Sequence, residues 1–193
     1  MSAEGVAGSD SELLEATRGG DEAAFLELYR RHRDRVYGFA YRMTGSPDLA
    51  SDVTQSCFAA LLEGPSRYDA RRASLGTYLC AVARNMSLRH ASRAWRERPL
   101  LGTADSQASR EPSPEQRLLA EERALLVREA LLALAPLHRE VLILAEYEDL
   151  EVAVIAEIVG AEVGAVKVRL HRARLKLRAA LEARMRGRAL VAG

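Results

Sequence analysis

The sequence predicts an all-α protein made of two small helical domains joined by a flexible linker. Aromatic residues are only 5% of the 193 residues, while Ala, Leu and Arg are prominent, a mixture that favours helices. Apolar residues recur at three- and four-residue intervals along most of the chain, the period of helices buried on one face. That period vanishes once, in ERPLLGTADSQASREPS at 97–113, where Gly, Ser, Pro and Asp cluster as they do in linkers. The reading gives a tail at 1–20, a first domain at 21–97, a linker at 98–112, a second domain at 113–186 and a closing tail at 187–193.

The first domain's pattern starts near Asp21, where Phe25, Tyr29, His32, Val36 and Ala40 mark one face of a helix that Gly45 ends. Ser46 offers an N-cap, with Pro47 at the first helical position and Asp48 in the first turn. This second helix runs to about Glu63, where Gly64 and Pro65 stop it. On it Leu49, Val53, Cys57 and Ala60 fall on the core side, and Asp52, Gln55, Ala59 and Leu62 form a second, partly apolar face that asks for a partner. A polar loop, Pro65 to Ala73, leads to a third helix near Ser74 with the stripe Tyr78, Leu79, Val82 and Met86. Extended onward, the stripe meets Arg89, Arg93 and Arg96. Arginines are not buried unpaired, so this end carries its charge into solvent or onto an anion.

The second domain opens on Ser113-Pro114-Glu115-Gln116, a capping box with proline at its first helical position. Leu118, Leu119, Leu125, Leu126, Leu131 and Leu132 supply its apolar face, and Ala135-Pro136 breaks it. A short helix, Leu137 to Tyr147, follows, then a helix with Val152, Ile155, Ala156 and Val159 on one face, a tight turn at Gly160-Ala161-Glu162, and a longer helix from Val163. This is helix-turn-helix punctuation. In the last helix Val163, Val166, Leu170, Ala173 and Leu177 share a narrow arc. Opposite lie Gly164, Val168, His171, Arg172 and Leu175, flanked by Lys167, Arg169, Arg174 and Lys176.

Total charge is only +1, yet its placement is uneven: Arg139 to Glu162 holds seven acids against Arg139, and Val163 to Arg188 holds nine bases against Glu182. A cationic helix of major-groove width suits a polyanion, because its bases release counterions from phosphates. Nucleic acid is the partner this implies. Cys57 and Cys80 have no zinc-ligand spacing, His32, His90, His138 and His171 are scattered, and no acid pair or activated nucleophile stands out. The expectation is therefore no catalytic residue, no metal and no cofactor. With no apolar run of membrane length and no basic-then-apolar start, a cytoplasmic location is expected.

VGAVKVRLHRARLKLRAAL at 163–181, with IAEIVG at 155–160 and APLHREVLILAEYEDL at 135–150, resembles the minus-thirty-five-binding region 4 of extracytoplasmic-function sigma factors of bacterial RNA polymerase. DEAAFLELYRRH from Asp21, DLASDVTQSCF from Asp48 and TYLCAVARN from Thr77 are similar to that family's region 2, which binds polymerase and reads the minus-ten element. The resemblance implies a specificity subunit that binds core polymerase, recognises promoters and helps open them, without catalysis of its own. Its partners would be core RNA polymerase, double-stranded upstream promoter DNA and single-stranded minus-ten DNA, and it admits an anti-sigma protein.

By the same resemblance Asp52, Gln55, Ala59 and Leu62 would contact polymerase, and Tyr68, Arg84, Asn85, Arg89 and Arg93 the minus-ten strand, with Tyr68 equally readable as a plug between helices. Gly164, Ala165, Lys167, Val168, Arg169, His171, Arg172 and Arg174 would meet the minus-thirty-five element. The chain departs from the pattern at Tyr78, Arg89, Val168 and Glu151, where the family commonly has Trp, Asp, Ser and a serine cap; Asp149 is then a candidate cap. Val168 gives up a hydrogen bond and can touch a thymine methyl. The residues alone leave one rival, a conventional helix-turn-helix regulator that binds a palindromic operator unaided.

Overall fold

A computed structural model describes residues 8–63, 68–71, 73–96 and 114–191; the linker at 98–112, Ser113 of the expected capping box and the outermost residues of the two tails, 1–7 and 192–193, lie outside them. The described residues form eight helices: α1 (Asp10–Arg18), α2 (Glu22–Thr44), α3 (Pro47–Glu63), α4 (Leu75–Arg96), α5 (Pro114–Leu132), α6 (Pro136–Glu146), α7 (Val152–Val159) and α8 (Val163–Val191). They divide into two compact units, one of residues up to Ser87 apart from 42–46, the other of 42–46 and residues from Leu88 onward.

In the first unit α1 is a helix that periodicity did not mark. Ser9 and Glu12 close a reciprocal capping box, and Leu13, Leu14 and Thr17 are buried. Asp10 anchors it to α2, with Oδ2 2.8 Å from His32 Nε2. Asp21 caps α2, accepting from the backbone N–H groups of Ala23 and Ala24 through Oδ1. Phe25 and Tyr29 of α2 meet Phe58 of α3 edge-on, with centroids 6.3 and 4.8 Å away. Cys57 of α3 reaches Met86 of α4 at 3.9 Å, and burial pushes its thiol up to about 12. That thiol packs as a small hydrophobe and stays protonated.

The buried side of α4 is Leu75, Leu79, Cys80, Ala83, Ser87 and Ala91, while Tyr78, Val82 and Met86 are only partly buried. Small side chains let the backbone approach its neighbours, so here close packing outweighs side-chain size in setting the buried face. The arginines consequently lie off the continuation of the core stripe.

In the second unit α8 packs on α5, α6 and α7, and α6 packs on α7. Leu131, Leu134, Val141, Leu142, Ile143, Leu144, Ile155, Val166, Leu170 and Ala173 form its core. Ala135 takes extended backbone before Pro136, which starts α6, the geometry imposed on a residue preceding proline. Asp149 does not cap α7: its φ is +52°, and the N-cap position belongs to Glu151 without a side-chain hydrogen bond. Asp149 instead turns the chain out of α6 in left-handed backbone, while Leu150 N–H reaches Leu144 O at 3.1 Å. Asp149→Gly should accordingly raise stability by about 0.5 to 1 kcal/mol by relieving that conformation. A thermal midpoint that falls would show that the aspartate makes a contact outweighing its backbone cost.

Candidate nucleic-acid interface and docking face

Helix α3 buries Ala50, Val53, Thr54, Cys57, Phe58 and Leu61. Asp52, Gln55, Ala59 and Leu62 all stay exposed on the far side, Leu62 at 50%. Ala60, expected on the core side, is exposed, and Leu49 is half-buried, because Phe58 and Leu61 turn the buried arc toward themselves. Gln55 also lines a polar pocket of about 290 Å³ with Tyr29, Tyr37, Ser51 and Thr54. The exposed face of α3 therefore continues into a recess against α2.

On the approach to α4, Tyr68 is half-buried with its ring 5.6 Å from that of Tyr78, and residues 65–67 and 72 of the same loop lie outside the described ones. Ser74 accepts from the N–H of Thr77 and caps α4. Asn85 is exposed and accepts from Arg84 Nη1 at 2.9 Å, while Arg84 is partly buried. Asn85, Arg89, Arg93 and Arg96 are all exposed and follow one another by four, four and three residues. This spacing aligns them along one edge of the helix. The result is a polar group followed by three guanidinium groups in a row.

The helix-turn-helix is set by Gly160, which ends α7 in left-handed backbone at φ +66° and lets its N–H reach the carbonyls of Ala156 and Glu157. A side chain there would be strained. Val166, Leu170 and Ala173 pin α8 to the core, and Val163, expected in the same arc, is 41% exposed because it sits at the helix's free first turn. Facing outward are Gly164, Ala165, Lys167, Val168, His171 and Arg172, with Val168 50% exposed. Two of the cations assigned to this face are tied back to α6. Arg169 Nη1 lies 3.4 Å from Oε1 of the fully buried Glu140, and Arg174 Nη2 lies 2.6 Å from Glu146 Oε1.

Residue periodicity did not single out His138 or Glu140, since both owe their importance to contacts made across the unit. His138 sits on α6 with a buried Nδ1 that has no hydrogen-bond partner among the described residues. Its imidazole is held below the usual histidine value, first by burial and then by the positive charges of Lys176, Arg169 and Arg172. Further along, α6 and the second half of α8 enclose a groove of about 590 Å³ with Leu142, Leu177 and Leu181 inside and Glu146 and Arg178 among its rim. Among the described residues no cluster of His, Cys, Asp or Glu could hold a metal ion, and no helix is long and apolar enough to cross a membrane.

Residues 28–97 match the family Sigma-70 region 2, and residues 124–177 match Sigma-70, region 4. The chain is 33% identical over 170 residues to the RNA polymerase sigma factor CarQ of Myxococcus xanthus, covering 86% of this chain and 93% of that one. It is 32% identical over 164 residues to the ECF RNA polymerase sigma factor SigE of Mycolicibacterium smegmatis, covering 82% of this chain but 63% of that relative's length. Among solved structures, CnrH in complex with the cytosolic domain of CnrY superposes with a TM-score of 0.64 at 24% identity, over 90% of this chain and 97% of that one. The sigma factor RpoE of Bartonella quintana, in complex with the anti-sigma factor NepR, also gives 0.64, at 21% identity over 82% of this chain and 96% of that one. The matches run in chain order across both helical units, and the chain belongs to the extracytoplasmic-function family of RNA polymerase sigma factors, subunits that direct core polymerase to promoters and help open them.

Proposed function

We propose that each exposed face has a separate task in that activity. Asp52, Gln55, Ala59 and Leu62 dock core polymerase by helix-on-helix packing, with the two polar residues fixing register. Asn85 reads an unstacked base of the minus-ten strand, and Arg84, Arg89 and Arg93 hold the strand's backbone beside it, with Tyr68 adding an aromatic contact to the same strand. Gly164, Ala165, Val168, His171 and Arg172 face the major groove of the upstream element, and Lys167 and Arg174 hold its phosphates. Arg169 braces this face from below through Glu140.

The observation that carries the reading is the outward row of α8: small and cationic residues free on one side, Val166, Leu170 and Ala173 buried on the other. We assign residues 21–97 and 113–186 to the two DNA-binding modules and place the protein in the cytoplasm as a non-catalytic subunit. An anti-sigma protein, the kind of partner bound to RpoE, fits the same docking faces.

Arg172→Ala tests the upstream role. If Arg172 reads a base, promoter affinity of the reconstituted holoenzyme should fall by about 1 to 3 kcal/mol, roughly 5- to 150-fold, and by less if it only touches phosphate. The assay is transcription by core polymerase plus this chain on promoters with and without the upstream element. Equal output from both promoters would remove the assignment of α8 to DNA.

A further inference from the structure

Two carboxylates of α6 hold cations of α8, and they do so differently. Glu140 is fully buried, and Arg169 Nη1 lies 3.4 Å from its Oε1. A buried charge stripped of its partner is costly, so Arg169 stays where it is. The side chains of Glu146 and Arg174 are instead 44% and 59% exposed. An ion pair in solvent is weak and screened by salt, so it exchanges readily. Arg174 commits one edge of its guanidinium to this pair: Nε donates at 2.8 Å and Nη2 at 2.6 Å, both to Oε1 of Glu146. Nε and Nη2 form a fork with which arginine grips a phosphate by two parallel bonds. The carboxylate therefore occupies donors that a DNA phosphate would take. Glu146 is also the last residue of α6, where a negative charge meets the negative end of the helix dipole and weakens the helix. The stability of α6 does not explain an acid at this position.

We infer that Glu146 is an intramolecular competitor for DNA phosphate, a residue that holds the Arg174 fork in the free chain and yields it to the backbone of the upstream element on binding. This role rests on the assignment of α8 to duplex DNA and adds a control to it. Every duplex complex must break the Glu146–Arg174 pair before Arg174 makes its phosphate contact, so Glu146 lowers the affinity. The released carboxylate then stands beside the phosphate and gathers a cation, which offsets part of the counterion release that Arg174 brings about. Binding is accordingly weaker, and less sensitive to salt, than the cations of α8 alone would make it.

The test titrates a fluorescent promoter duplex with holoenzyme reconstituted from core polymerase and the full chain, between about 50 and 200 mM salt. The compared chains are wild type, Glu146→Gln, Arg174→Ala, the double variant and Arg172→Ala. A glutamine keeps the shape of the side chain and can still accept from the fork, but it carries no charge. Glu146→Gln should bind about threefold more tightly at the lowest salt, and its plot of log affinity against log salt should be steeper by up to about 0.9. In the Arg174→Ala background the same substitution should change neither quantity, since no fork remains to compete for. An equal gain with and without Arg174 would show plain repulsion of DNA by the carboxylate and overturns the inference. Weaker or unchanged binding by Glu146→Gln overturns it too, because the carboxylate would then orient Arg174 or play no part. If Arg174→Ala or Arg172→Ala still loses affinity in that case, only the role of Glu146 fails; if both bind as wild type does, the assignment of α8 to DNA fails with it.

Discussion

Replacing Arg139 with alanine is expected to destabilise the second helical unit by about 3 kcal/mol, the largest effect on stability anticipated for a single side chain of this protein. Arg139 is 4% exposed. Its Nε donates to Leu131 O at 3.1 Å, and Nη2 donates to Leu132 O at 2.7 Å and Leu134 O at 2.9 Å. These carbonyls close α5 and the short turn after it, where helix geometry leaves acceptors without donors. The next helix cannot supply an early N–H there, because Pro136 has none. One planar side chain with several donors serves them together, and an alanine removes a donor from each, leaving Leu131 O with only the N–H of Leu134 at 3.1 Å.

Arg139→Lys should recover part of the loss, since an ammonium is a point donor and cannot span three carbonyls in a plane. Denaturant unfolding followed by circular dichroism checks this, with the second unit's transition moving to lower denaturant. An unchanged midpoint for Arg139→Ala would show that water or another side chain takes over these acceptors.

Arg139 also marks where sequence reading stops. The outward row of α8 was visible because Val166, Leu170 and Ala173 repeat with the helical period, and Gly160 announces the turn before them. The exposed face of α3 was visible for the same reason, although Phe58 and Leu61 shift its buried arc away from Ala60. Periodicity sees one helix at a time. It cannot show that Arg139 bridges to carbonyls of the helix before it, or that Glu140 is buried under Arg169, because each fact joins residues on different elements. It also favours bulk, which is why Val82 and Met86 stood for the core of α4 when Cys80, Ala83, Ser87 and Ala91 fill it. Helix α1 left a local signal in the Ser9–Glu12 capping box, but nine residues are too few for a clear period.

The double substitution Asp52→Ala with Gln55→Ala is expected to weaken association with core polymerase by about 2 to 3 kcal/mol, roughly 30- to 150-fold in Kd. Both side chains are exposed on α3, and neither supports the fold: the helix is held by Val53, Cys57, Phe58 and Leu61 on its other side. Alanine is the better helix former at both positions, so the first unit should remain folded. The loss must then arise at the interface, where Ala59 and Leu62 supply apolar contact and the two polar groups, once desolvated, need partners on the other helix. Leu62, 50% exposed, adds an independent check. Leu62→Asp puts a charge into the apolar part of the same contact and should lower affinity without altering the thermal midpoint. Titration of fluorescently labelled chain with core enzyme measures both effects. Unchanged Kd for the double variant, with Leu62→Asp also neutral, would move the polymerase contact off α3 and leave its second face without a partner.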